Sequence, residues 1–267
     1  MKLALAQIEI EAAAIEGNRR RAESAIERAA SQGADLVALP EIFNVGYFAF
    51  DVYERYAEPL GGETLTRIAD MAVDHGIAVI AGSIVEDLAA TETASTPAES
   101  GLANTTVFFD RGGERKGIYR KRHLFGYDSA EADLLVPGER DTVVEFKGFS
   151  VGMTTCYDLR FPEQFRRLTE AGATLVVVPS AWPYPRVEHW ETLSRARAIE
   201  NQQYIATING AGSFDDATLL GRSTVYDPWG TTLASSDDDP ALVIAELDPS
   251  TVERVREEFP ALRDRRQ

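Results

Sequence analysis

Two short apolar runs constrain this chain more than any other feature of its sequence. Gly33-Ala34-Asp35-Leu36-Val37-Ala38-Leu39-Pro40 is echoed by Gly172-Ala173-Thr174-Leu175-Val176-Val177-Val178-Pro179. Each follows a strand-like stretch and then an arginine-bearing helical stretch, so each closes a β-α-β unit. Ahead of the first run, Leu3 to Ile10 reads as a strand and Asn18 to Ala30 as a helix, with Asn18 as its N-cap and Gly33 as its stop. Two such units imply two sheets, or two halves of one sheet, in an α/β chain.

The other segments fit that frame. Ile77 to Ile84 reads as one strand, reached through a helix near Leu65 to His75. Asp87 to Ala103 lacks periodicity and is expected to be a solvent loop or long hairpin tip. Val187 to Gln203 predicts a helix and Tyr204 to Asn209 a strand. Ser223 to Tyr226 predicts a strand entering the turn Asp227-Pro228-Trp229-Gly230. An acidic tip, Asp237-Asp238-Asp239-Pro240, separates strands at Thr231 to Ala234 and Leu242 to Leu247. Thr251 to Glu258 reads as helical and Pro260 to Gln267 as a polar tail. No stretch has the composition of a linker, and 267 residues at 44% hydrophobic suit one domain, 1–267.

Charge narrows the partners. The formal charge of -16 comes from 43 acidic against 27 basic residues, and the lysines are only Lys2, Lys116, Lys121 and Lys147. Phosphate-backbone binding, and so nucleic acid, is not expected. No apolar run is long enough to cross a bilayer, and Met1 leads straight into a charged residue rather than a secretory signal. With a single cysteine, no internal disulfide forms, and the cytoplasm is the expected compartment. The acidic, arginine-over-lysine composition suits either a salt-rich cytoplasm, where screening tolerates self-repulsion, or an ordinary acidic enzyme.

Chemistry-bearing residues gather at predicted strand ends, where ligands of α/β folds bind. Cys156 follows an apolar strand in Thr154-Thr155-Cys156-Tyr157-Asp158-Leu159-Arg160-Phe161-Pro162-Glu163. Metal sites usually gather several ligands, so this lone thiol is either a nucleophile or a small buried hydrophobe, and no metal or other cofactor is expected. A nucleophile needs a base or a positive field. Pro162 and Glu163 suit a helix start whose amides favour negative charge. His75, His123 and His189 are the available imidazoles, and each reads as a cap or a core hydrogen-bonding group.

Lys121, in Tyr119-Arg120-Lys121-Arg122-His123, stands out because lysine is otherwise scarce. A compact ammonium there could stabilise an oxyanion, or be merely solvated. Glu41 ends Leu39-Pro40-Glu41 and precedes Ile42-Phe43-Asn44-Val45-Gly46-Tyr47, and apolar company should raise its pKa into a range useful to a general acid and base.

The order and surroundings of Glu41, Lys121 and Cys156 resemble those of the nitrilase superfamily, the carbon-nitrogen hydrolases with a Glu-Lys-Cys triad. Further matching motifs are Glu131 in Ser129-Ala130-Glu131-Ala132-Asp133-Leu134-Leu135-Val136-Pro137-Gly138, His189-Trp190 with Arg195 to Asn201, and Gly221-Arg222-Ser223 with Asp227-Pro228-Trp229-Gly230. The resemblance covers nearly the whole chain.

It implies a four-layer αββα sandwich that forms a homodimer or larger homo-oligomer. Cys156 is then the nucleophile, Glu41 the proton carrier, and Lys121 with the Tyr157 backbone amide the oxyanion site, while Glu131 positions substrate and Lys121. The run after Cys156 is most similar to the omega-amidase and Nit-type amidase branch, which implies a small, acidic amide substrate. The alternatives are an N-carbamoyl-amide hydrolase, a nitrilase, or an idle member serving as a scaffold. Ser180-Ala181-Trp182-Pro183-Tyr184-Pro185-Arg186 follows a strand end and should line the pocket. Tyr47 and Trp182 are expected as walls, and Arg186 as a carboxylate clamp or a surface arginine.

Overall fold

Alternate side chains of single strands enter different cores, and this parity sets the architecture. The fold is described by a computed structural model of the chain, covering every residue except Thr93, Asp128 and Gln267. Thr93, in the predicted loop, and Gln267, ending the predicted tail, therefore lie outside the described residues.

The strands are β1 (Lys2–Gln7), β2 (Leu36–Ala38), β3 (Ala78–Ile80), β4 (Ile84–Asp87), β5 (Leu102–Phe109), β6 (Arg115–Arg120), β7 (Thr142–Phe146) and β8 (Phe149–Met153). They continue with β9 (Leu175–Ser180), β10 (Tyr204–Asn209), β11 (Ser213–Phe214), β12 (Ala217–Thr218), β13 (Thr224–Tyr226), β14 (Thr232–Ser235) and β15 (Ala241–Glu246). The helices are α1 (Ile15–Ser31), α2 (Tyr53–Tyr56), α3 (Glu63–His75), α4 (Glu131–Leu134), α5 (Pro162–Glu170), α6 (Val187–Asn201) and α7 (Ser250–Glu258).

One sheet runs β15-β1-β2-β3-β5-β4, with β6 also on β5; the other runs β14-β13-β10-β9-β8-β7. Each has a parallel centre, β1-β2-β3 or β8-β9-β10, flanked by antiparallel strands. The two echoed runs become β2 and β9, the middle strands of these centres, so the two units belong to two sheets.

Leu3 and Leu5 of β1 meet Val151, Met153, Leu175 and Val177 of the other sheet in the central core. Ala4 and Ala6 turn the opposite way, onto Ala22, Ala25, Ile26 and Ala29 of α1. On the far side, Val176, Val178 and Ile205 pack on Phe165 and Leu168 of α5 and Trp190 and Ala198 of α6. Helix, sheet, sheet and helix thus stack as the four-layer αββα sandwich. Strands covered on both faces are apolar at nearly every position, which is why the echoed runs lack alternation.

Two expectations need correction. Helix α1 starts at Ile15, and Asn18 lies within it rather than capping it. Its buried carboxamide instead accepts from the Glu11 N–H and donates to the Glu11 and Asn44 carbonyls. The single strand predicted over 77–84 is broken into β3 and β4 at Gly82, whose φ is +33°. A Cβ there would lie 1.9 Å from the Pro40 carbonyl oxygen, so the chain passes the segment leading to Glu41 where a larger residue would clash.

Candidate active site

Four strand ends deliver the site. Glu41 lies just beyond β2, Lys121 directly follows β6, Cys156 lies beyond β8, and Ala181 directly follows β9. The two middle strands are joined at this edge: the Glu41 N–H donates to the Ser180 carbonyl at 3.3 Å. In return, the Ala181 N–H donates to Glu41 Oε2 at 2.9 Å.

Lys121 is buried, and its ammonium has three acceptors. Nζ lies 2.8 Å from Glu41 Oε1, 2.7 Å from Glu131 Oε1 and 2.9 Å from Glu131 Oε2. Glu131 opens the short helix α4 and is held in turn: Tyr47 Oη and the Phe125 N–H both donate to its Oε2, at 2.9 and 2.7 Å. The Tyr47 ring centre is 5.2 Å from Nζ, a cation-π distance.

Electrostatics follow from burying two acids, an ammonium and a thiol together. Burial pushes the Glu41 carboxyl above its ordinary range, and the Glu131 charge adds to this while Lys121 opposes it. Burial, and then the Glu41 charge, push the Cys156 thiol well up. The thiol and the Glu41 carboxyl are thus close neighbours in one buried site. For Lys121, burial disfavours the charge, but the charges of Glu131 and Glu41 outweigh it and hold the ammonium protonated. The thiol is therefore protonated at rest, and an ammonium is fixed beside Glu41.

Cys156 begins a 3-10 turn over Cys156–Arg160 and adopts φ +44°, an uncommon backbone conformation for a residue with a side chain. Thr155 and Asp158 close that turn as a reciprocal capping box. Asp158 is buried and binds four groups. Its Oδ2 accepts from Tyr119 Oη and the Thr155 N–H, and its Oδ1 accepts from the His123 N–H and pairs with His123 Nδ1 at 2.7 Å. The His123 ring also stacks on Phe161, with centroids 3.9 Å apart. The lysine and cysteine segments are thus tied together through one carboxylate.

Cys156 and Lys121 open onto a cavity of about 960 Å3. Tyr47, Tyr157, Trp182 and Arg186 all line it, while Glu41 and Glu131 lie behind this surface, fully buried. Arg186 holds its guanidinium 5.9 Å from the Phe125 ring centre, and its carbonyl accepts from Trp182 Nε1. The structure brings Tyr47, Lys121, Cys156, Tyr157, Trp182 and Arg186 to this cavity, with Glu41 and Glu131 against Lys121, whereas His75 lies at the end of α3 and does not line it. His123 and His189 pair with Asp158 and Arg160 respectively, and Arg197 of α6 donates to the Leu159 carbonyl.

Sequence reasoning missed three contributors. Arg160 lines the cavity, with its guanidinium 4.6 Å from the Trp182 ring centre. The hairpin β11-β12 brings Phe214, Asp215 and Asp216 to the cavity. Asn104 of β5 donates from Nδ2 to Glu41 Oε1 at 2.8 Å and to Glu131 Oε1 at 3.2 Å. A signal for Asn104 existed: Asn104-Thr105-Thr106 is a polar run inside an otherwise apolar strand, and all three residues are buried.

The family model described as carbon-nitrogen hydrolase matches residues 2–257. The 2-oxoglutaramate amidase of Paenarthrobacter nicotinovorans is 38% identical over 237 residues, 87% of this chain and 79% of that relative. The omega-amidase NIT2 of Homo sapiens is 35% identical over 274 residues, 99% of this chain and 95% of that relative. Among solved structures, Nit3 of Saccharomyces cerevisiae, a member of branch 10 of the nitrilase superfamily, matches with a TM-score of 0.88 and 31% identity. That match covers 100% of this chain and 97% of the yeast protein. A mutant of the amidase from Nesterenkonia sp. AN1 matches with a TM-score of 0.85 and 28% identity, covering 100% of this chain and 94% of its own. It shows covalent addition of the acetamide moiety of fluoroacetamide at the active site cysteine. The chain belongs to the carbon-nitrogen hydrolase family.

Proposed function

We propose that this amide hydrolase acts on a small amide bearing a carboxylate, with Cys156 as nucleophile, Glu41 as proton carrier and Lys121 as oxyanion donor. One observation carries the reading: the Lys121 ammonium sits between Glu41 and Glu131 at 2.7 to 2.9 Å, in the wall of the cavity that Cys156 also lines.

Cys156 Sγ adds to the carbonyl carbon as Glu41 takes the thiol proton. With Glu41 neutralised, its hold on Lys121 weakens, and one ammonium N–H turns to the developing oxyanion together with the Tyr157 N–H. Glu41 then passes its proton to the departing nitrogen as the C–N bond breaks, leaving a thioester and ammonia. A water that gives its proton to Glu41 opens the thioester and restores the thiol. Glu131, braced by Tyr47 and Phe125, keeps the ammonium in place throughout.

The acidic part of the substrate is supported by Arg160 and Arg186 at the cavity and by relatives named 2-oxoglutaramate amidase and omega-amidase. Tyr47, Tyr157 and Trp182 serve as its walls. Ammonia release should be measured across omega-amides of dicarboxylic acids, neutral aliphatic amides, nitriles and carbamoyl compounds. Acidic amides should lead, iodoacetamide should abolish turnover, and substrate should protect the thiol. Ammonia accompanied by carbon dioxide, or preference for nitriles, would replace this reading with one of the alternatives.

The same reading takes residues 1–267 as one domain, since both sheets build the site. Exposed Trp229 and Phe259, in ring contact, and exposed Ile199 support a homodimer, which sedimentation would test. A nucleophilic thiol that must stay reduced supports the cytoplasm. The charge of -16 supports a salt-rich one, and activity that falls in molar KCl would refute that.

A further inference from the structure

Glu41 offers two oxygens, and its surroundings treat them differently. Oε1 accepts from Lys121 Nζ at 2.8 Å and from Asn104 Nδ2 at 2.8 Å. A carboxylate oxygen has about two lone-pair sites, so Oε1 is saturated. Oε2 accepts from the Ala181 N–H at 2.9 Å, which leaves one site open. Oε2 is therefore the oxygen that keeps a lone-pair site free for a proton.

We infer that Asn104 is a positioning residue that confines the acid-base chemistry of Glu41 to Oε2. The inference rests on the proposed role of Glu41. In the first step the Cys156 Sγ–H proton moves to Oε2 as the S–C bond forms and the carbonyl π pair moves onto oxygen. The same proton leaves Oε2 for the substrate nitrogen as the C–N bond breaks. Between these events Lys121 turns one N–H towards the oxyanion, and Asn104 then remains as the donor to Oε1. Without Asn104, Oε1 would also have a lone-pair site open to the proton.

The orientation of the Asn104 amide is set by the two acids. Asn104 is 0% exposed, and its Oδ1 has no hydrogen-bond partner among the described residues. Turning the amide over would place Oδ1 against Glu41 Oε1 and Glu131 Oε1, two acceptors. Its own carbonyl accepts the Lys121 N–H at 2.8 Å, so one residue registers the lysine backbone and both carboxylates.

The test compares Asn104→Leu and Asn104→Ala with the wild type in kcat, KM and the pH profile of kcat/KM. Loss of a hydrogen bond to a charged group should move the acid limb about one unit higher in pH. The plateau kcat should fall about tenfold, with KM changed less than about threefold. A merely structural asparagine would lower activity without moving the limb, and an unmoved limb in a folded variant overturns the inference. An atomic-resolution crystal structure of the unmodified protein at a pH below the limb provides a measurement independent of folding of the variants. The Glu41 C–O bond should be longer to Oε2, and equal bonds or a longer bond to Oε1 overturns the inference. If Glu41→Gln itself retains wild-type turnover, the proposed function fails instead.

Discussion

Ala181 donates its backbone N–H to Glu41 Oε2 at 2.9 Å across 140 residues of sequence. The contact joins the middle strand of one sheet to that of the other, at the edge where the strands end. Glu41 is therefore held by both halves of the sandwich, and a shift of either sheet moves this proposed base relative to the thiol. Placement errors of about 1 Å can lower turnover on the order of 100-fold.

Lys121→Ala leaves Glu41 and Glu131 facing each other in a site with no solvent access to either. Breaking a buried ion pair on one side typically costs about 3 to 5 kcal/mol. Turnover should drop at least about 10²- to 10³-fold for the loss of the proposed oxyanion donor. Denaturant unfolding and ammonia release measure the two effects separately.

Alkali should destabilise the fold. Burial raises Tyr47, Tyr53 and Tyr119 well above the ordinary tyrosine value of 10.0, and burial with the Glu41 charge raises Cys156 above 9.0. Across that range the unfolded chain releases protons that the folded protein keeps, so stability falls as pH rises. Lys121, held charged in the fold by Glu131 and Glu41 against the opposing effect of burial, adds stability that is also lost through its raised value. Melting temperature should decline steeply above about pH 9, and Tyr53→Phe should flatten the decline. A flat profile to about pH 11 would contradict this.

Asp158→Asn tests the tie between the lysine and cysteine segments. The carboxylate binds Tyr119, Thr155 and His123, and an asparagine amide must turn a donor towards one of these donor pairs. Stability should fall by about 1 to 3 kcal/mol. Slower alkylation of Cys156 by iodoacetamide, in protein that still melts cooperatively, would show that the tie also positions the thiol.

Gly82→Ala places a methyl 1.9 Å from the Pro40 carbonyl oxygen, one residue before Glu41. Because the clash is with backbone, the segment carrying Glu41 must move. A loss of about 3 kcal/mol or more is expected, with turnover reduced even at temperatures where the variant stays folded.

Arg160→Ala and Arg186→Ala should separate substrate charge from chemistry. Loss of a charge-assisted hydrogen bond is worth about 10- to 100-fold in the Michaelis constant of an acidic amide. Neutral amides of similar size should be nearly unaffected. An unchanged KM for 2-oxoglutaramate in both variants would remove the carboxylate clamp from the proposal.

Much of this was legible in one sequence because the physical signals were local. Strands covered on both faces write themselves as continuous apolar runs, so β2 and β9 could be read with their helices. Lys121 stood out through scarcity, and Cys156 and Glu41 through their places after such runs. Asn18 was misread because an asparagine at a helix start is as suited to bracing loops as to capping. The strand over 77–84 was misread because the obstacle that breaks it, the Pro40 carbonyl, lies far away in sequence.

Composition and strand pattern by themselves settled the α/β class, the paired β-α-β units and which reactive side chains stand at strand ends. Hydrophobic periodicity is a property of neighbouring residues, so it survives in the linear text. Tertiary structure alone decided that Asn104 reaches both glutamates. It also decided which oxygen of Glu41 stays open. Those facts depend on hydrogen-bond directions between distant segments, one of them a backbone N–H that every residue except proline carries and no residue type can announce.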